Sequence, residues 1–227
     1  MTFRIATYNI HRTVGADGLT DPARIVRVVE ELNADVVALQ EVGFRPGEPD
    51  HLLELLQDAT SMHVVEGVTL RDERGHYGNA LLSRLALRDV RRLDLTVARR
   101  EPRGAIDVEV DAGCPVRLLA THLGLRPFER RQQVRRLCEE LDASHAPVKI
   151  LLGDLNEWFL WGRPIRWLRR VFGETAAPPT FPARRPVLAL DRLWVAPASA
   201  LAGLRVHDTP LARVASDHLP LVGEIKV

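Results

Sequence analysis

Apolar and polar residues alternate along "FRIATYNI", residues 3–10, and the stretch is rich in β-forming residues, which predicts a strand beginning almost at residue 3. The period then lengthens. Ile25, Val28, Val29 and Leu32 recur at helical spacing behind Asp21, a natural N-cap, and Pro22 at the first helical position, so the spacing predicts a helix. "DVVALQE", residues 35–41, follows as an apolar run that closes in a carboxylate, the pattern of a buried strand. The chain therefore opens as strand, helix, strand.

"HLLELLQDA" predicts a short helix. Five strand-like runs come next: "HVVEGVTL", "GNALLSR", "LRDVRRLDL", "AIDVEVD" and "VRLLATHL", in an antiparallel-like succession. Phe128, Val134, Leu137 and Leu141 give "PFERRQQVRRLCEELDA" a helical face, and "PVKILLGDLN" returns to a buried strand. "LALDRLWVA", "LRVHD" and "LPLVGEIKV" complete the pattern, with no low-complexity linker and no repeat of fixed period. Two sheets packed face to face with helices outside accommodate this order.

Composition narrows the class. A chain of 227 residues, 46% hydrophobic and 27% charged, has the balance of a folded enzyme or binding domain. The net charge of +1 supplies no global field for holding nucleic acid by its phosphates. Arginines nonetheless cluster, at Arg126, Arg130, Arg131, Arg135 and Arg136 and again at Arg163, Arg166, Arg169 and Arg170; the ordinary expectation is solvated helix faces paired with Glu129, Glu139 and Glu140. Cys114 and Cys138 are too few for a disulfide scaffold, lack metal-site spacing, and are expected to be structural. "MTFRIATYNIH" has no cationic leader, and no segment has the length of apolar residues that spans a bilayer. The expected location is the cytoplasm, or the inner face of the membrane if an amphipathic surface carries the chain there.

The unusual feature is where polar groups fall. Asn9, Glu41, His122, Asp154 with Asn156, Asp191, and Ser216–Asp217–His218 each sit at the end of an apolar strand or just before one. A single carboxylate at such a place is ordinarily a turn or cap, and a lone histidine ordinarily a satisfied surface or core group; His11, His51, His63, His145 and His207 are read that way. Recurrence at six strand ends points to chemistry instead. Carboxylates and amides with two histidines and no thiolate suit magnesium or manganese, not structural zinc. Asp154 and Asn156 are two residues apart, so in an extended segment both address the same side.

Taken together, "TYNIH" at 7–11, "LQEV" at 39–42, "GNALLSR" at 78–84, "THLG" at 121–124, "GDLNE" at 153–157, "LDRLWV" at 190–195 and "SDHLPL" at 216–221 resemble the endonuclease/exonuclease/phosphatase superfamily of metal-dependent phosphoesterases, in order and over nearly the whole chain. The resemblance implies one domain over residues 1–227, an α/β fold in which two mixed sheets form a four-layer sandwich with outer helices. It implies Glu41 as principal metal ligand, with Asn9 and Asp217 helping to hold Mg2+ (or Mn2+) or its waters. Asp154 and Asn156 resemble the pair that orients the attacking water and a phosphate oxygen, His218 the essential histidine with Asp191 fixing its tautomer, and His122 a second histidine found in deoxyribonuclease-like members. The proton acceptor stays open between Asp154 and His218, with metal-activated water a third candidate.

Arg103 lies where family members place a phosphate-binding arginine, though a surface salt bridge fits it as well; Tyr77 and Asn79 are candidates to line the site, or to serve a turn. After "GDLNE" come Trp158, Phe159 and Trp161 and then the basic segment "RPIRWLRRVFG". Core packing is the expectation for at least two of these aromatics, with Trp158 a candidate substrate contact. Were they exposed, they would suit stacked nucleobases, while the basic helix carrying Ile165, Trp167, Leu168, Val171 and Phe172 would suit an anionic membrane surface. Pro178, Pro179, Pro182 and Pro186 predict a rim loop. The favoured expectation is a phosphodiesterase or phosphatase for a phospholipid-like or small phosphodiester substrate, with a DNA or RNA nuclease as alternative and an inactive binding module as the contrasting class. No obligate protein partner is evident.

Overall fold

The alternating N-terminal segment forms strand β1, Thr2–Asn9, and the helix expected behind Asp21 is α1, Pro22–Leu32. The Asp21 carboxylate accepts the Arg24 amide at 3.2 Å, and Asn33 closes the helix in the left-handed region, φ 43°. Ile25, Val28, Val29 and Leu32 form its buried face. The chain thus returns along the sheet, and β2, Val36–Phe44, pairs parallel to β1. This computed structural model describes residues 1–44, 52–72 and 75–227, so His51 lies outside the described residues.

Helix α2 is Leu52–Thr60; β3, His63–Asp72, and β4, Gly75–Ser83, form the next antiparallel pair. The second half of the chain contributes β10, Leu201–Val206, the short helix α5, Ala212–Ala215, and β11, Leu221–Lys226. One sheet therefore has six strands in the order β10-β11-β1-β2-β4-β3. The other has five, in sequence order: β5 Ala86–Asp94, β6 Gly104–Asp111, β7 Pro115–His122, β8 Val148–Asp154 and β9 Asp191–Ala196. Helix α3, Pro127–Ala143, makes the crossover between the parallel strands β7 and β8, and α4, Arg163–Phe172, follows β8.

Three apolar clusters give the four-layer α/β sandwich its layers. Ile25, Val28, Leu32 and Leu56 pack the first two helices onto one face of the six-stranded sheet, against Ala6, Tyr8 and Val37. The opposite faces of the two sheets meet through Ile5, Val36, Ile106, Leu118, Ile150 and Ile225. Leu119, Leu151 and Trp194 take Leu137, Leu141, Ile165, Leu168 and Phe172 from α3 and α4. Each fully buried side chain of this kind contributes roughly 1.5–3 kcal/mol of burial free energy. The outer edge β5 is largely exposed and carries Arg88, Arg91 and Arg92, charges that discourage pairing with another sheet.

Several local expectations change. Arg136 does pair with Glu139 and Glu140 at the surface, but Arg130 is buried and pairs with Glu157 at 3.1 Å, so that cluster is not uniformly a solvated face. Ile165, Leu168 and Phe172 of α4 face the core, which removes them as a membrane-facing surface. Trp158, Phe159 and Trp161 are exposed; the expectation that at least two would pack in the core is overturned, because Ile165, Leu168 and Phe172 of α4 supply the apolar contacts to β8 and β9 there. Cys114 and Cys138 are free and half-buried. No helix among the described residues is long and apolar enough to cross a membrane.

Strand directions explain why polar groups converge. β1, β2, β7 and β8 all finish at one edge of the sandwich, and β9 and β11, antiparallel to β8 and β1, begin there. Gly153 is required immediately before Asp154: its φ is 140°, and a Cβ there would lie 1.8 Å from the Thr121 carbonyl oxygen. Gly153→Ala should destabilise the protein by on the order of 2–4 kcal/mol in urea unfolding. Unchanged stability would contradict this close approach.

Candidate active site

The strand-end groups assemble around the Asp154 carboxylate. Asn9 Nδ2 donates to Glu41 Oε1 at 3.1 Å and to Asp154 Oδ2 at 3.0 Å, while Asn9 Oδ1 accepts the His11 amide at 3.0 Å. That second contact settles the orientation of the Asn9 amide. Glu41 reaches this face because β2 carries a bulge: pairing with β4 shifts between Leu39 and Val42, and Glu41 adopts φ 61°. Gln40, the other residue of the bulge, turns inward and accepts the Thr7 hydroxyl at 3.1 Å.

Asp154 Oδ1 accepts the amide of Asn156 at 2.8 Å, in the manner of an Asx turn, with Asn156 left-handed at φ 50°. The Asn156 side-chain nitrogen donates to the Leu123 carbonyl at 3.0 Å and lies 3.0 Å from His122 Nε2. Both histidines approach the same atom: Asp154 Oδ2 is 3.6 Å from His122 Nε2 and 3.8 Å from His218 Nε2.

The two rings are held in opposite charge states. His218 Nδ1 faces Asp191 Oδ2 at 2.8 Å, and Asp191 also accepts the Thr180 hydroxyl at 2.6 Å. Burial opposes a charge on His218, but Asp191, then Asp154 and Asp217, outweigh it and push the imidazolium up to about 10. His122 instead receives Arg103 Nη1 on its Nδ1 at 2.9 Å. A guanidinium can only donate, so His122 Nδ1 carries the lone pair and its proton sits on Nε2, which faces the Asn156 side-chain amide at 3.0 Å with Asp154 Oδ2 beyond it at 3.6 Å. Burial and then the Arg103 charge hold His122 down to about 3.

Arg103 is buried, and its other terminal nitrogen donates to Glu101 Oε2 at 3.1 Å. Asn79 is buried too, and its amide donates to the Gly104 carbonyl at 3.2 Å, tying β4 to β6. Tyr77 lies under the Arg12 guanidinium, 4.4 Å from the ring centre, and its hydroxyl is pushed upward by burial and by Glu41. Asp217 is partly exposed and 3.7 Å from His11 Nδ1. Trp158, four residues beyond Asp154, stands in solvent.

His11, expected to be an ordinary surface or core histidine, borders the site together with Arg12, Thr180 and Phe181, which carry no signal of their own in the sequence. Residues 11–13 run consecutively at positive φ, 45°, 52° and 63°, a strained turn that only the hydrogen bond to Asn9 hints at. Phe181 packs its ring 4.8 Å from that of His218, and the Ala183 amide donates to the Asp217 carbonyl at 2.7 Å, so the proline-rich segment does border the site. A cleft of about 390 Å³ lined by Thr69, Asp94, Thr96 and Arg103 shares Arg103 with the site. The larger concavity, about 450 Å³, lies at the opposite end of β7 among Arg91, Arg117 and Glu140, whose charges are already taken up by one another and by Asp107.

The family model for the Endonuclease/Exonuclease/phosphatase family matches residues 6–218, from β1 through His218. The chain belongs to this family. Its sequence is similar to that of the Escherichia coli (strain K12) protein YbhP, 31% identical over 246 residues, with 99% of this chain and 96% of that protein covered. Its fold is similar to an endonuclease/exonuclease/phosphatase from Beutenbergia cavernae, 26% identical, TM-score 0.79, covering 100% of this chain and 72% of the other. A family structure from Bacteroides vulgatus, 16% identical with TM-score 0.80 and coverage of 100% and 99%, shows the same architecture. The family comprises hydrolases of phosphoester bonds. Asp154, Asp191 and His218 bring ligand atoms within 4.8 Å of one another and could bind a metal ion.

The opposite settings of the two rings have a consequence for stability. The unfolded chain protonates His122 near 6.5 whereas the folded chain does not until about 3, so the contribution of this ring is complete above 6.5 and lost as pH falls toward 3. Urea denaturation at a series of pH values should show a shallower loss between neutrality and pH 4 for His122→Gln than for the parent. Identical slopes would contradict a neutral, arginine-bound His122.

Proposed function

We propose that this chain is a divalent-metal-dependent phosphodiesterase for a phospholipid-like or small phosphodiester substrate, cleaving by in-line attack of water. The observation that carries it is the meeting of two differently protonated histidines at one oxygen of Asp154, itself linked through Asn9 to Glu41. Such a centre would offer a bound phosphate a proton acceptor, a charged donor and carboxylates for a cation from around one oxygen.

The donor set fits a hard divalent ion. Asp191 is already engaged by His218 and Thr180, and a charged His218 has no lone pair to offer, which argues against these two as ligands even though their atoms cluster with Asp154. Glu41 and Asp217, both partly exposed, remain as the oxygens to hold magnesium or manganese. Asn9 turns its amide nitrogen toward Glu41 and Asp154, so it serves the site by orienting both carboxylates. A bound cation would supply positive charge against the phosphoryl oxygens as negative charge grows in the transition state.

The remaining steps belong to the chain. His218, kept charged by Asp191, donates its Nε2 proton to a phosphoryl oxygen. His122, kept neutral by Arg103, offers its Nε2–H from the other side. Asp154 then accepts the proton of the attacking water as the water oxygen bonds to phosphorus, since a charged His218 cannot, and the P–O bond opposite breaks, its alkoxide leaving to take a proton from solvent. Asn156 positions Asp154 through its backbone amide. Proton transfer of this type accounts for roughly 100- to 10,000-fold in rate.

Hydrolysis of bis(p-nitrophenyl) phosphate and p-nitrophenyl phosphate, with magnesium, manganese or chelator, tests the reading. The parent should cleave the diester in a metal-dependent way, and Glu41→Ala should abolish turnover while the fold persists. His218→Ala should lower kcat by about 100-fold or more with little change in the metal concentration needed. Retained turnover in either variant, or cleavage undisturbed by chelator, would remove the corresponding assignment.

A further inference from the structure

Immediately beyond Asn156 the chain presents apolar side chains to solvent: Trp158, Phe159, Leu160 and Trp161 are 61%, 51%, 45% and 71% exposed, and Leu125 on the neighbouring loop is 65% exposed. Of the nine large apolar side chains exposed among the described residues, these five fall on two adjoining loops, so the distribution is a patch and not scatter. The loop is built rather than frayed. The Gly162 amide donates to the Phe159 carbonyl at 3.0 Å, closing a turn, and the Phe159 amide donates to Glu157 Oε1 at 3.2 Å. Glu157 is buried and pairs with Arg130 Nε at 3.1 Å, and Arg130 Nη1 donates to the Leu125 carbonyl at 2.7 Å. One buried ion pair therefore fixes both apolar loops side by side. A side chain at Gly162 would meet the Glu157 carboxyl carbon at 2.8 Å, so the turn closes directly on that pair.

Cations surround the tip. Arg126 follows Leu125, and Arg163, Arg166 and Arg170 form the exposed face of α4; none of these four is in an ion pair among the described residues. The inward packing of Ile165, Leu168 and Phe172 leaves α4 a basic outer face, so the apolar contact falls to the turn before it. Tryptophan and phenylalanine among arginines match the headgroup level of a bilayer, where rings enter the acyl boundary and guanidinium groups meet lipid phosphates.

We propose that the turn 157–162, together with Leu125, is an interfacial anchor that docks this chain on an anionic lipid bilayer. The turn leaves the strand-end cluster at Asn156, so a docked molecule carries the cluster to the plane of the headgroups. Choosing a phospholipid surface rests on the phosphodiester reading of that cluster, whereas docking itself requires no turnover.

The test is sedimentation with vesicles of phosphatidylcholine alone and with about one-third phosphatidylglycerol, in chelator to prevent hydrolysis, together with tryptophan emission. The parent should sediment with the anionic vesicles and shift its emission to the blue. Phe159→Ser/Trp161→Ser should bind at least about tenfold more weakly, and Arg126→Gln/Arg163→Gln/Arg166→Gln should lose the preference for phosphatidylglycerol. The Phe159→Ser/Trp161→Ser variant should keep the parent's melting temperature and its hydrolysis of bis(p-nitrophenyl) phosphate. Failure of the parent to sediment, or equal sedimentation by the tip variant, would overturn the anchor. A blue shift with single-stranded oligonucleotide and none with vesicles would overturn it in favour of nucleobase stacking. Vesicle binding by a parent that cleaves no diester would uphold the anchor and remove the phosphodiesterase reading.

Discussion

The site depends on one side chain, Asn9, whose amide nitrogen is shared between Glu41 in its own sheet and Asp154 in the other. Interdigitated apolar side chains and the Asn79 link from β4 to the Gly104 carbonyl of β6 hold the two sheets together elsewhere, but neither sets where Glu41 and Asp154 lie relative to one another. A buried amide with two carboxylate acceptors does. Any slip leaves a donor unsatisfied and two negative groups repelling each other, so the registry of the sheets and the geometry of the site are the same constraint. The carbonyl end is fixed as well, by the His11 amide, and the Ser216 hydroxyl donates to the Asn9 backbone carbonyl at 2.8 Å.

That constraint gathers Glu41, Asp154, Asp191 and Asp217 at one edge, an excess of negative charge that the His218 imidazolium and the Arg103 guanidinium, shared with Glu101, only partly offset. The chain divides the problem between two histidines by giving each a partner of opposite sign: a carboxylate for His218, a guanidinium for His122. One ring is a charged donor and the other a neutral one at the same pH. Such separation of protonation states by environment lets one centre both donate to an oxyanion and leave a carboxylate free to accept a proton.

Much of this was legible in the sequence. Helical spacing around Val28 and near-continuous apolar runs around Ile5, Leu118 and Leu151 placed the helices, the strands and the sandwich, because a helix buried on one face and a strand buried on both write different patterns into the chain. The strand-end residues were legible for the same reason: Asn9, Glu41, Asp154 and His218 interrupt apolar runs. What spacing could not carry was direction. The bulge that turns Glu41 outward and the left-handed run from His11 to Thr13 are backbone events with no side-chain signature. Arg103 reads as a phosphate ligand or a surface cation until it is found against His122. Trp158, Phe159 and Trp161 have the composition of a core, and only the filling of that core by α4 shows that they stand outside it.

Because carboxylates crowded with too few counterions repel, a cation that enters their midst should stabilise the fold as well as serve the chemistry. The most direct measurement of that claim is the melting temperature of the parent and of Glu41→Gln across a titration with magnesium and with manganese. The account predicts a saturating rise for the parent and little or none for the variant, whose fold is otherwise retained. An equal rise in both proteins, or none in the parent, would contradict it.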